Sequence, residues 1–518
     1  MDFHRWTNGA RVTWTITVDS EEETANLART IAPLLGSGDM ITLSGDLGAG
    51  KSSFARELIR TILRQPTLDV PSPTFTLMQT YEAPEFTILH ADLYRISDPE
   101  ELIELGFEDS MIGALTILEW PEKAAKLLSF SRLNITISTI QDTNGVGRKI
   151  DVTGLGPLAD VFDRAIAITQ LLNESGWSDA RRQQIAGDAS GRKFERLNQD
   201  GRTAILMVAP KPIHGPILRA GKTYRLLAKL SDSVGSFVAI ANRLCAYGFS
   251  APEIIASNLD VGLVLMEDLG TEGITGNDGP IRERYFEAAQ LLAQLHVLDV
   301  SRDLPFRQNE WYRLPDYDLE PLLTELELFI DWFIPTLPGA QVSELARSEF
   351  LSIWRSLLEP QMIERKSWTL RDFHSPNLFW LPLRSGIRRV GIIDIQDALW
   401  GHPAYDVGSL LQDARVFISE ELELELFESY INLRSSRDKM FDYSRFTTSY
   451  AIYASQRILK ILGIFVRLER RDGKPEYLRH IPNLLKYLRR NLNHRDLANL
   501  RDWLSRYCPE LCYKPEHQ

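Results

Sequence analysis

A chain of 518 residues exceeds one ordinary hydrophobic core, and at about 150 residues per domain its length suggests about three units. Hydrophobic residues make up 44% and charged residues 25%, as in a globular protein in water, and no apolar run approaches the roughly 18 residues that a membrane-spanning helix requires. The first residues lack an apolar signal-peptide core and three cysteines argue against a disulfide framework, so we expect a cytoplasmic protein without a membrane partner.

Acidic residues are concentrated at the start of the chain. Residues 1–158 carry a net charge of −9, whereas the remaining residues carry −3. An acidic unit is poorly suited to binding the phosphate backbone of a nucleic acid. If the first unit serves a nucleic acid, we therefore expect it to do so through protein partners.

The first predicted elements are a strand and a helix. Residues 12–18 alternate between the two faces of a strand and are rich in β-branched side chains. Ser20 and Glu23, three residues apart, form a capping-box pattern, and a helix is predicted over residues 24–35.

The next segment, residues 45–52, matches the phosphate-binding loop G-x-x-x-x-G-K-[ST]. The apolar residues 40–43 before it predict a buried strand, and apolar residues recur at helical spacing after it. Glycines let backbone N–H groups approach phosphates, and the helix N-terminus adds partial positive charge. Lys51 is expected to reach the β- and γ-phosphates, and the Ser52 hydroxyl to coordinate Mg²⁺. The predicted phosphate-binding residues are Gly45, Asp46, Gly48, Ala49, Gly50, Lys51, Ser52 and Ser53.

Two later strands of this unit end on a carboxylate, at Asp92 and at Glu119. In enzymes with a phosphate-binding loop, an acid at such a strand end holds the Mg²⁺ shell. Two of them in one unit favour metal and water positioning over helix capping. Residues 70–77, with two prolines, form either a stiff connector or a switch segment whose hydroxyl groups face the γ-phosphate.

Four segments of this unit carry a resemblance to a known family. GDLGAGKSS, PSPTFTL, HADLYR and LEWPEK, in this order and spacing, resemble the TsaE family across residues 1–158. The resemblance implies an α/β P-loop nucleotidase fold with a mixed sheet, and an ATPase of bacterial tRNA threonylcarbamoyladenosine synthesis. It also implies a TsaB–TsaD complex as the partner that holds the threonylcarbamoyl chemistry, in agreement with the acidic charge.

The same resemblance assigns roles to individual residues. It implies that the loop binds ATP and Mg²⁺, that Thr74 lies in the switch, and that Asp92 and Glu119 serve the metal and its water. Trp120, beside Glu119, either stacks on a base or fills the core.

The second unit is predicted to span residues 159–518 and to open with an amphipathic helix over residues 158–172. A turn-rich loop at 187–196 enters a strand, and a hairpin-like turn at 199–201 leads to a second strand at 203–208. A glycine turn between strands can cover the phosphates of ATP. Residues 262–270 form an apolar strand that ends in acids and glycine, as a hinge between two lobes would.

The strongest pattern of the second unit is LRDFHSPNLFW. Asp372 and Asn377, five residues apart, match kinase catalytic loops, in which the Asp faces the substrate hydroxyl and the Asn binds a metal. Asp394 follows a strand seventeen residues later and matches the acid that joins Mg²⁺ to the phosphates. Together with the glycine turn and the hinge, this order predicts kinase chemistry.

These segments resemble the aminoglycoside phosphotransferase-like kinases, which have a bilobal α+β protein-kinase-like fold. GDASGRKFER, LMEDLG, LRDFHSPNLFW and IIDIQDA also resemble the AmgK-like anomeric kinases of amino sugars across residues 160–518. The resemblance implies an N-lobe at about 180–270 and a C-lobe at about 271–518. It further implies ATP- and Mg²⁺-dependent phosphorylation of N-acetylmuramate and N-acetylglucosamine at the anomeric hydroxyl during cell-wall recycling.

The chain departs from the kinase pattern at the phosphate-pairing lysine. No lysine occupies the strand at 204–208, so another cation must hold the α- and β-phosphates. Arg192 and Lys193 in the glycine turn are candidates, and Gly187 and Ser190 are predicted to bind the nucleotide with Arg192.

Two further residues near the catalytic loop are singled out. Arg371 stands where kinases of this type often have His or Gly. This departure does not affect the Asp and Asn of the loop, which are predicted to carry out the chemistry. Asp406, in the segment GHPAYDVG, is predicted to be structural and to cap a helix under the catalytic loop.

Other functions of the second unit stay open. An aminoglycoside or a choline-like amine as substrate would require an acidic pocket or an aromatic cage. A non-catalytic pseudokinase scaffold fits the missing lysine but not the retention of Asp372, Asn377 and Asp394.

Overall fold

The computed structural model describes residues 1–8, 11–98, 100–142, 145–185, 191–210 and 215–512. The chain divides into two compact units, Met1–Asp179 and Ala180–Gln518. Within the described residues, no helix combines the length and the apolar composition that crossing a bilayer requires.

The first unit is built on one mixed sheet. Its described strands are β1 (Asp2–Asn8), β2 (Arg11–Val18), β3 (Met40–Ser44), β4 (Met78–Glu82), β5 (Thr87–Asp92), β6 (Leu115–Glu119), β7 (Arg132–Asp142) and β8 (Gly145–Leu155). Its described helices are α1 (Glu21–Ile31), α2 (Lys51–Leu63), α3 (Glu100–Glu104), α4 (Phe107–Met111) and α5 (Pro157–Glu174).

The strand order is β1-β2-β8-β7-β3-β6-β5-β4. β3 runs parallel to β6 and β7, and β5 runs parallel to β6, whereas the other neighbours are antiparallel. This confirms the mixed sheet expected from the sequence. The three central strands β3, β5 and β6 are apolar and buried, as parallel strands covered on both faces are.

The capping box predicted at the start of α1 is present. The hydroxyl of Ser20 accepts a hydrogen bond of 3.1 Å from the backbone N–H of Glu23, so the helix begins at Glu21 and earlier than predicted. The strand predicted over residues 12–18 corresponds to β2.

Helix α5 packs on the sheet of the first unit, whereas the sequence assigns this helix to the second unit. The indole N–H of Trp14 on β2 donates to the buried Asp163 of α5 at 2.8 Å. A Cβ on Gly154 would lie 2.6 Å from the Cα of Ala159, which shows how closely β8 and α5 approach. The predicted boundary after residue 158 therefore lies too early, because the apolar face of this helix is buried against β2, β7 and β8.

The second unit has a smaller strand-rich part and a larger helical part. Its described strands are β9 (Arg181–Ile185), β10 (Lys193–Gln199), β11 (Arg202–Val208), β12 (Ile217–Arg219), β13 (Lys222–Thr223), β14 (Ile254–Asn258), β15 (Leu263–Glu267), β16 (Thr275–Gly276), β17 (Gly279–Pro280), β18 (Asp303–Arg307), β19 (Glu310–Arg313), β20 (Ser367–Thr369), β21 (Leu378–Trp380), β22 (Val390–Ile392) and β23 (Leu399–Gly401). Its described helices are α6 (Tyr224–Leu227), α7 (Val234–Ala246), α8 (Arg282–Val297), α9 (Leu319–Leu328), α10 (Glu344–Leu358), α11 (Ala404–Leu411), α12 (Glu420–Arg437), α13 (Tyr443–Asp472), α14 (Ile481–Asn491), α15 (Ala498–Tyr507) and α16 (Pro509–Cys512).

Five antiparallel strands in the order β14-β15-β11-β10-β9 form the sheet of the smaller part. The larger part surrounds the 30-residue helix α13, most of whose residues are buried. A Cβ on Gly463 would lie 2.4 Å from the backbone of Leu328, so a glycine is needed where α13 crosses the end of α9. The short pairs β20–β23 and β21–β22 carry the loops that contain Asp372 and Asp394.

Candidate active sites

The phosphate-binding loop joins the carboxyl end of β3 to the first turn of α2. Three of its glycines have positive φ angles: 135° at Gly45, 81° at Gly48 and 111° at Gly50. A Cβ on Gly45 would lie 2.1 Å from the carbonyl oxygen of Ile137, so only glycine fits there. Since the first turn of a helix offers backbone N–H groups to an anion, this loop has the geometry that phosphate binding requires.

Lys51 is buried against this loop. Its ammonium group donates to the carbonyl oxygens of Gly45 and Asp46 at 2.7 and 2.9 Å. Burial lowers the pKa of Lys51, and the negative charge of nearby carboxylates, Glu119 foremost, partly offsets this effect. Trp120 contacts the lysine, with 3.9 Å between the ammonium nitrogen and the ring centroid.

The register of the parallel strands brings the two predicted carboxylates together. Asp92 at the end of β5 pairs with Glu119 at the end of β6. The Ser52 hydroxyl donates to Glu119 at 3.0 Å, and the Thr74 hydroxyl donates to Asp92 at 3.1 Å. Thr74 lies in a turn before β4 and not in a strand.

A cavity of about 240 Å³ opens above these groups and contains most of the predicted loop residues. Gly45, Asp46 and Ala49 lie outside its described lining, although the carbonyl oxygen of Ala49 accepts a hydrogen bond from Arg148 at 3.2 Å. The lining consists of Leu47, Gly48, Gly50, Lys51, Ser52, Ser53, Ser72, Thr74, Asp92, Tyr94, Glu119 and Trp120.

His90 is a site residue that the sequence analysis missed. Its Nε2 lies 3.1 Å from Oε1 of Glu119, and both side chains are 1% exposed. One carboxylate oxygen of Glu119 is therefore held by His90, while the other faces Ser52. The period of two in a strand places His90 on the same face as Asp92, and this was the signal available in the sequence.

In the second unit, strand pairing brings the three predicted kinase residues together. β21 and β22 pair with Leu378 opposite Ile392, so the residues just beyond that pair, Asn377 and Asp394, come close. The Asn377 amide donates to the carbonyl oxygen of Asp372 at 2.9 Å and lies 3.5 Å from the Asp394 carboxylate. The arrangement places Asp372 beside an amide and a second acid that could hold a metal.

Two residues of this site have left-handed backbones that only glycine adopts easily. The φ angle is 71° at Arg371 and 59° at Asp394. Such strain persists only where the surroundings enforce the conformation, and it is typical of functional loops.

Buried carboxylates enforce the shape of the catalytic loop. Asp406 accepts hydrogen bonds from the backbone N–H groups of Leu370 and Arg371 at 2.5 and 2.8 Å. Asp413 accepts from both the backbone N–H and the hydroxyl of Ser375, at 2.8 and 2.5 Å. Burial raises the pKa of Asp406 to about 7, although the two N–H groups favour its charged form.

The structural role predicted for Asp406 is correct in kind but wrong in detail. Asp406 lies inside the first turn of α11, and its carboxylate binds the loop above the helix instead of capping the helix. The N-cap position of α11 is Pro403, whose side chain cannot accept a hydrogen bond.

Arg371 is part of a buried ion network. Its guanidinium group pairs with Glu325 of α9, which is fully buried and also pairs with Lys460 of α13 at 3.0 Å. The hydroxyl of Tyr317 donates to the same carboxylate at 2.6 Å. Burial alone would raise the pKa of Glu325, but the charges of Lys460 and Arg371 outweigh it and lower the pKa.

Arg192 reaches the predicted metal ligand Asp394. Its guanidinium group lies 2.5 Å from the Asp394 carboxylate and donates to the side chain of Gln396 at 2.5 Å. Burial raises the pKa of Asp394, and the charge of Arg192 opposes this rise. The other two predicted nucleotide-binding residues of this turn, Gly187 and Ser190, lie outside the described residues.

Comparisons with known proteins follow the division into two units. The family model "Threonylcarbamoyl adenosine biosynthesis protein TsaE" matches residues 18–150, and "Phosphotransferase enzyme family" matches residues 181–445. A tRNA threonylcarbamoyladenosine biosynthesis protein TsaE of Rickettsia bellii is 43% identical over 125 residues, 24% of this chain and 86% of that protein.

Relatives named as kinases match a larger share of the chain. An N-acetylmuramate/N-acetylglucosamine kinase of Caulobacter vibrioides is 34% identical over 362 residues, which are 67% of this chain and 97% of that protein. One of Neisseria meningitidis is 32% identical over 322 residues, 61% of this chain and 87% of that protein. The chain therefore belongs to the TsaE family in its first unit and to the phosphotransferase enzyme family in its second.

Proposed function

We propose that this chain is a bifunctional enzyme. The first unit is an ATPase that supports N6-threonylcarbamoyladenosine modification of tRNA. The second unit transfers the γ-phosphate of ATP to the anomeric hydroxyl of N-acetylmuramate or N-acetylglucosamine. One observation carries the proposal. Each unit assembles a site that contains the acidic residues predicted for phosphate chemistry, and the chain is related to both enzyme families.

In the first unit, the loop glycines and Lys51 would hold the phosphates of ATP. Ser52, Asp92 and Glu119 would hold Mg²⁺, since the Ser52 hydroxyl donates to Glu119 and all three side chains line this cavity. A bound Mg²⁺ neutralises phosphate charge. Glu119, oriented by His90, would position the water molecule. The acidic unit would act on tRNA through a TsaB–TsaD-like complex, because a net charge of −9 disfavours direct RNA binding.

In the second unit, Asp372 would orient the acceptor hydroxyl and accept its proton. Asn377 and Asp394 would hold Mg²⁺, which their oxygen atoms suit. Arg192 would replace the missing kinase lysine, because it is the cation that reaches Asp394 from the turn between β9 and β10. These placements favour a working kinase over a pseudokinase scaffold.

Product analysis tests the kinase proposal. The full-length protein is incubated with ATP and either sugar, and the product is examined by phosphorus NMR. An anomeric phosphate is acid-labile and couples to H1. An acid-stable product coupled to H6 would contradict the anomeric assignment alone, and no product from any sugar would favour a non-catalytic scaffold.

Reconstitution tests the proposal for the first unit. Threonylcarbamoyladenosine formation is measured with a TsaB–TsaD complex, tRNA and ATP, with and without the full-length protein. We expect modification to depend on its addition. A mobility shift of free tRNA at about micromolar protein and near-physiological salt would contradict recruitment through protein partners.

A further inference from the structure

Arg148 of β8 lies against the phosphate-binding loop, on the side away from the cavity. Its Nε donates to the carbonyl oxygen of Ala49 at 3.2 Å. A Cβ on Gly50 would lie 3.3 Å from the same Nε and within 4 Å of two further atoms of this side chain. Arg148 is absent from the described lining of the cavity, which does include Gly50. A strand far along the chain therefore supports the loop from behind.

The other end of the guanidinium group is held by the first turn of α1. One terminal nitrogen donates to Glu21 at 3.2 Å, and the other lies 3.5 Å from the hydroxyl of the buried Thr24. The side chain of Arg148 is 17% exposed, whereas that of Glu21 is 87% exposed. Because an exposed ion pair contributes little, we expect the contact with Ala49 to matter more than the pair with Glu21.

The peptide group between Ala49 and Gly50 connects Arg148 to the cavity. In a trans peptide the carbonyl oxygen and the N–H group point in opposite directions. Arg148 holds the carbonyl oxygen on its own side, so the N–H of Gly50 points to the other side. Within the part of the chain that the structure describes, this N–H has no hydrogen-bond partner. It is therefore free to donate to an anion.

Gly50 is the residue of this peptide that most needs an external support. Its φ angle of 111° is one that glycine adopts readily, and glycine also loses the most conformational freedom when it is fixed. The side chain of Arg148 packs where a Cβ of residue 50 would otherwise limit the backbone. The contact with Ala49 thus selects one orientation of a peptide that could rotate.

We propose that Arg148 is a positioning residue of the phosphate-binding loop. It fixes the peptide between Ala49 and Gly50 so that the N–H of Gly50 points at the phosphates of the nucleotide. This inference rests on the proposed ATPase function of the first unit and deepens it. Backbone N–H groups of such loops contact the α- and β-phosphates, which ATP and ADP share. Loss of Arg148 should therefore weaken the binding of both nucleotides by the same factor.

Hydrogen–deuterium exchange tests this inference in the full-length protein, because a peptide that covers residues 45–52 reports on the first nucleotide site alone. ADP or a non-hydrolysable ATP analogue is titrated with Mg²⁺ into the wild-type protein and into Arg148→Met, which removes the charge and the donors. The nucleotide concentration that gives half-maximal protection should rise by about tenfold for both nucleotides, as expected for the loss of one charge-assisted hydrogen bond. Without nucleotide, exchange in β2 and β7 should stay unchanged, whereas general destabilisation would raise it.

Glu21→Gln is the matched control, because it removes the exposed pair of Arg148 and leaves the contact with Ala49. Both titrations should match the wild type in this variant, and a shift as large as that in Arg148→Met would overturn the assigned role of the Ala49 contact. If Arg148→Met does not fold, Arg148→Lys provides the same test, since it lacks the Nε donor.

Three further outcomes would contradict the inference. Unchanged titrations in the Arg148 variant would overturn it and leave the proposed ATPase function intact. A shift for the ATP analogue alone would assign Arg148 to direct contact with the γ-phosphate instead of to the loop. A wild-type protein whose residues 45–52 gain no protection from either nucleotide would overturn the proposed function together with this inference.

Discussion

The two sites of this chain differ in how much of the protein builds them. In the first unit, one continuous loop of eight residues and the ends of two parallel strands supply the site. In the second, Asp372 and Asn377 come from one loop and Asp394 from another, and the shape of the catalytic loop depends on carboxylates of α9, α11 and the segment after α11. In the first site the strands that carry the loop also carry the acids, whereas the second site is held by carboxylates from elements outside its own loops.

This difference predicts where each unit is vulnerable. The loop of the first unit requires glycine backbones, which its own residues provide. The catalytic loop of the second unit adopts strained φ angles that buried acids enforce. Substitutions far from the kinase chemistry should therefore disturb the second site, whereas only nearby substitutions should disturb the first.

The largest effect is expected for Asp372→Asn. The variant keeps the size of the side chain but loses the charge that would accept a proton, so kcat for sugar phosphorylation should fall by about 10²–10⁴-fold. Binding of ADP should change little, because the amide of Asn377 and the carboxylate of Asp394 remain. A loss of kcat below about threefold would remove Asp372 from the chemistry.

Glu325→Gln tests the long-range support of the second site. The substitution leaves Arg371 and Lys460 buried without their carboxylate, so the free energy of unfolding of the second unit should fall by about 3–5 kcal/mol. Urea unfolding followed by tryptophan fluorescence measures this loss. Glu320→Gln on the same helix removes only an exposed pair with Lys222, and a similar loss there would argue against a special role for the buried network.

Lys51→Ala tests whether the first site is separable from the second. Removing one preorganised cation should lower ATP turnover and threonylcarbamoyladenosine formation by about 10²–10³-fold. Sugar phosphorylation by the same preparation serves as the control and should be retained. Parallel loss of both activities in a folded variant would show that the two units are coupled.

His90→Phe tests a buried contact that orients Glu119. Without the imidazole, one oxygen of Glu119 loses its partner, and ATP hydrolysis supported by the TsaB–TsaD complex should fall by about 10–100-fold. Nucleotide binding, measured with a fluorescent ADP analogue, should change much less. His4→Phe at an exposed position of β1 is the matched control, and an equal effect there would point to general destabilisation.

The smallest effect concerns pH. The pKa values of Glu325 and Asp413 are lower in the folded chain than their usual values of 4.5 and 3.8. The folded state therefore binds fewer protons, so this stabilisation is complete above about pH 5 and is lost as pH falls towards about 3. Urea midpoints across this range should fall for the second unit, with a shallower slope in Glu325→Gln. Equal slopes would show that other groups dominate.

The sequence by itself determined the features that neighbouring residues encode. Backbone motifs such as the glycine loop, the capping box at Ser20 and the strand ends at Asp92 and Glu119 depend on residues close in the chain, and the structure shows them. The meeting of Asp372, Asn377 and Asp394 was also predictable, because a single hairpin separates the last two.

Only the tertiary structure decided which distant groups meet. The amphipathic pattern of α5 predicts a helix but not the sheet that covers it, so the unit boundary was placed too early. The loop-binding role of Asp406 and the contact of His90 with Glu119 likewise depend on residues far apart in the chain. Hydrophobic periodicity reports which face of an element is buried, whereas the partner of a buried polar group follows from packing in three dimensions.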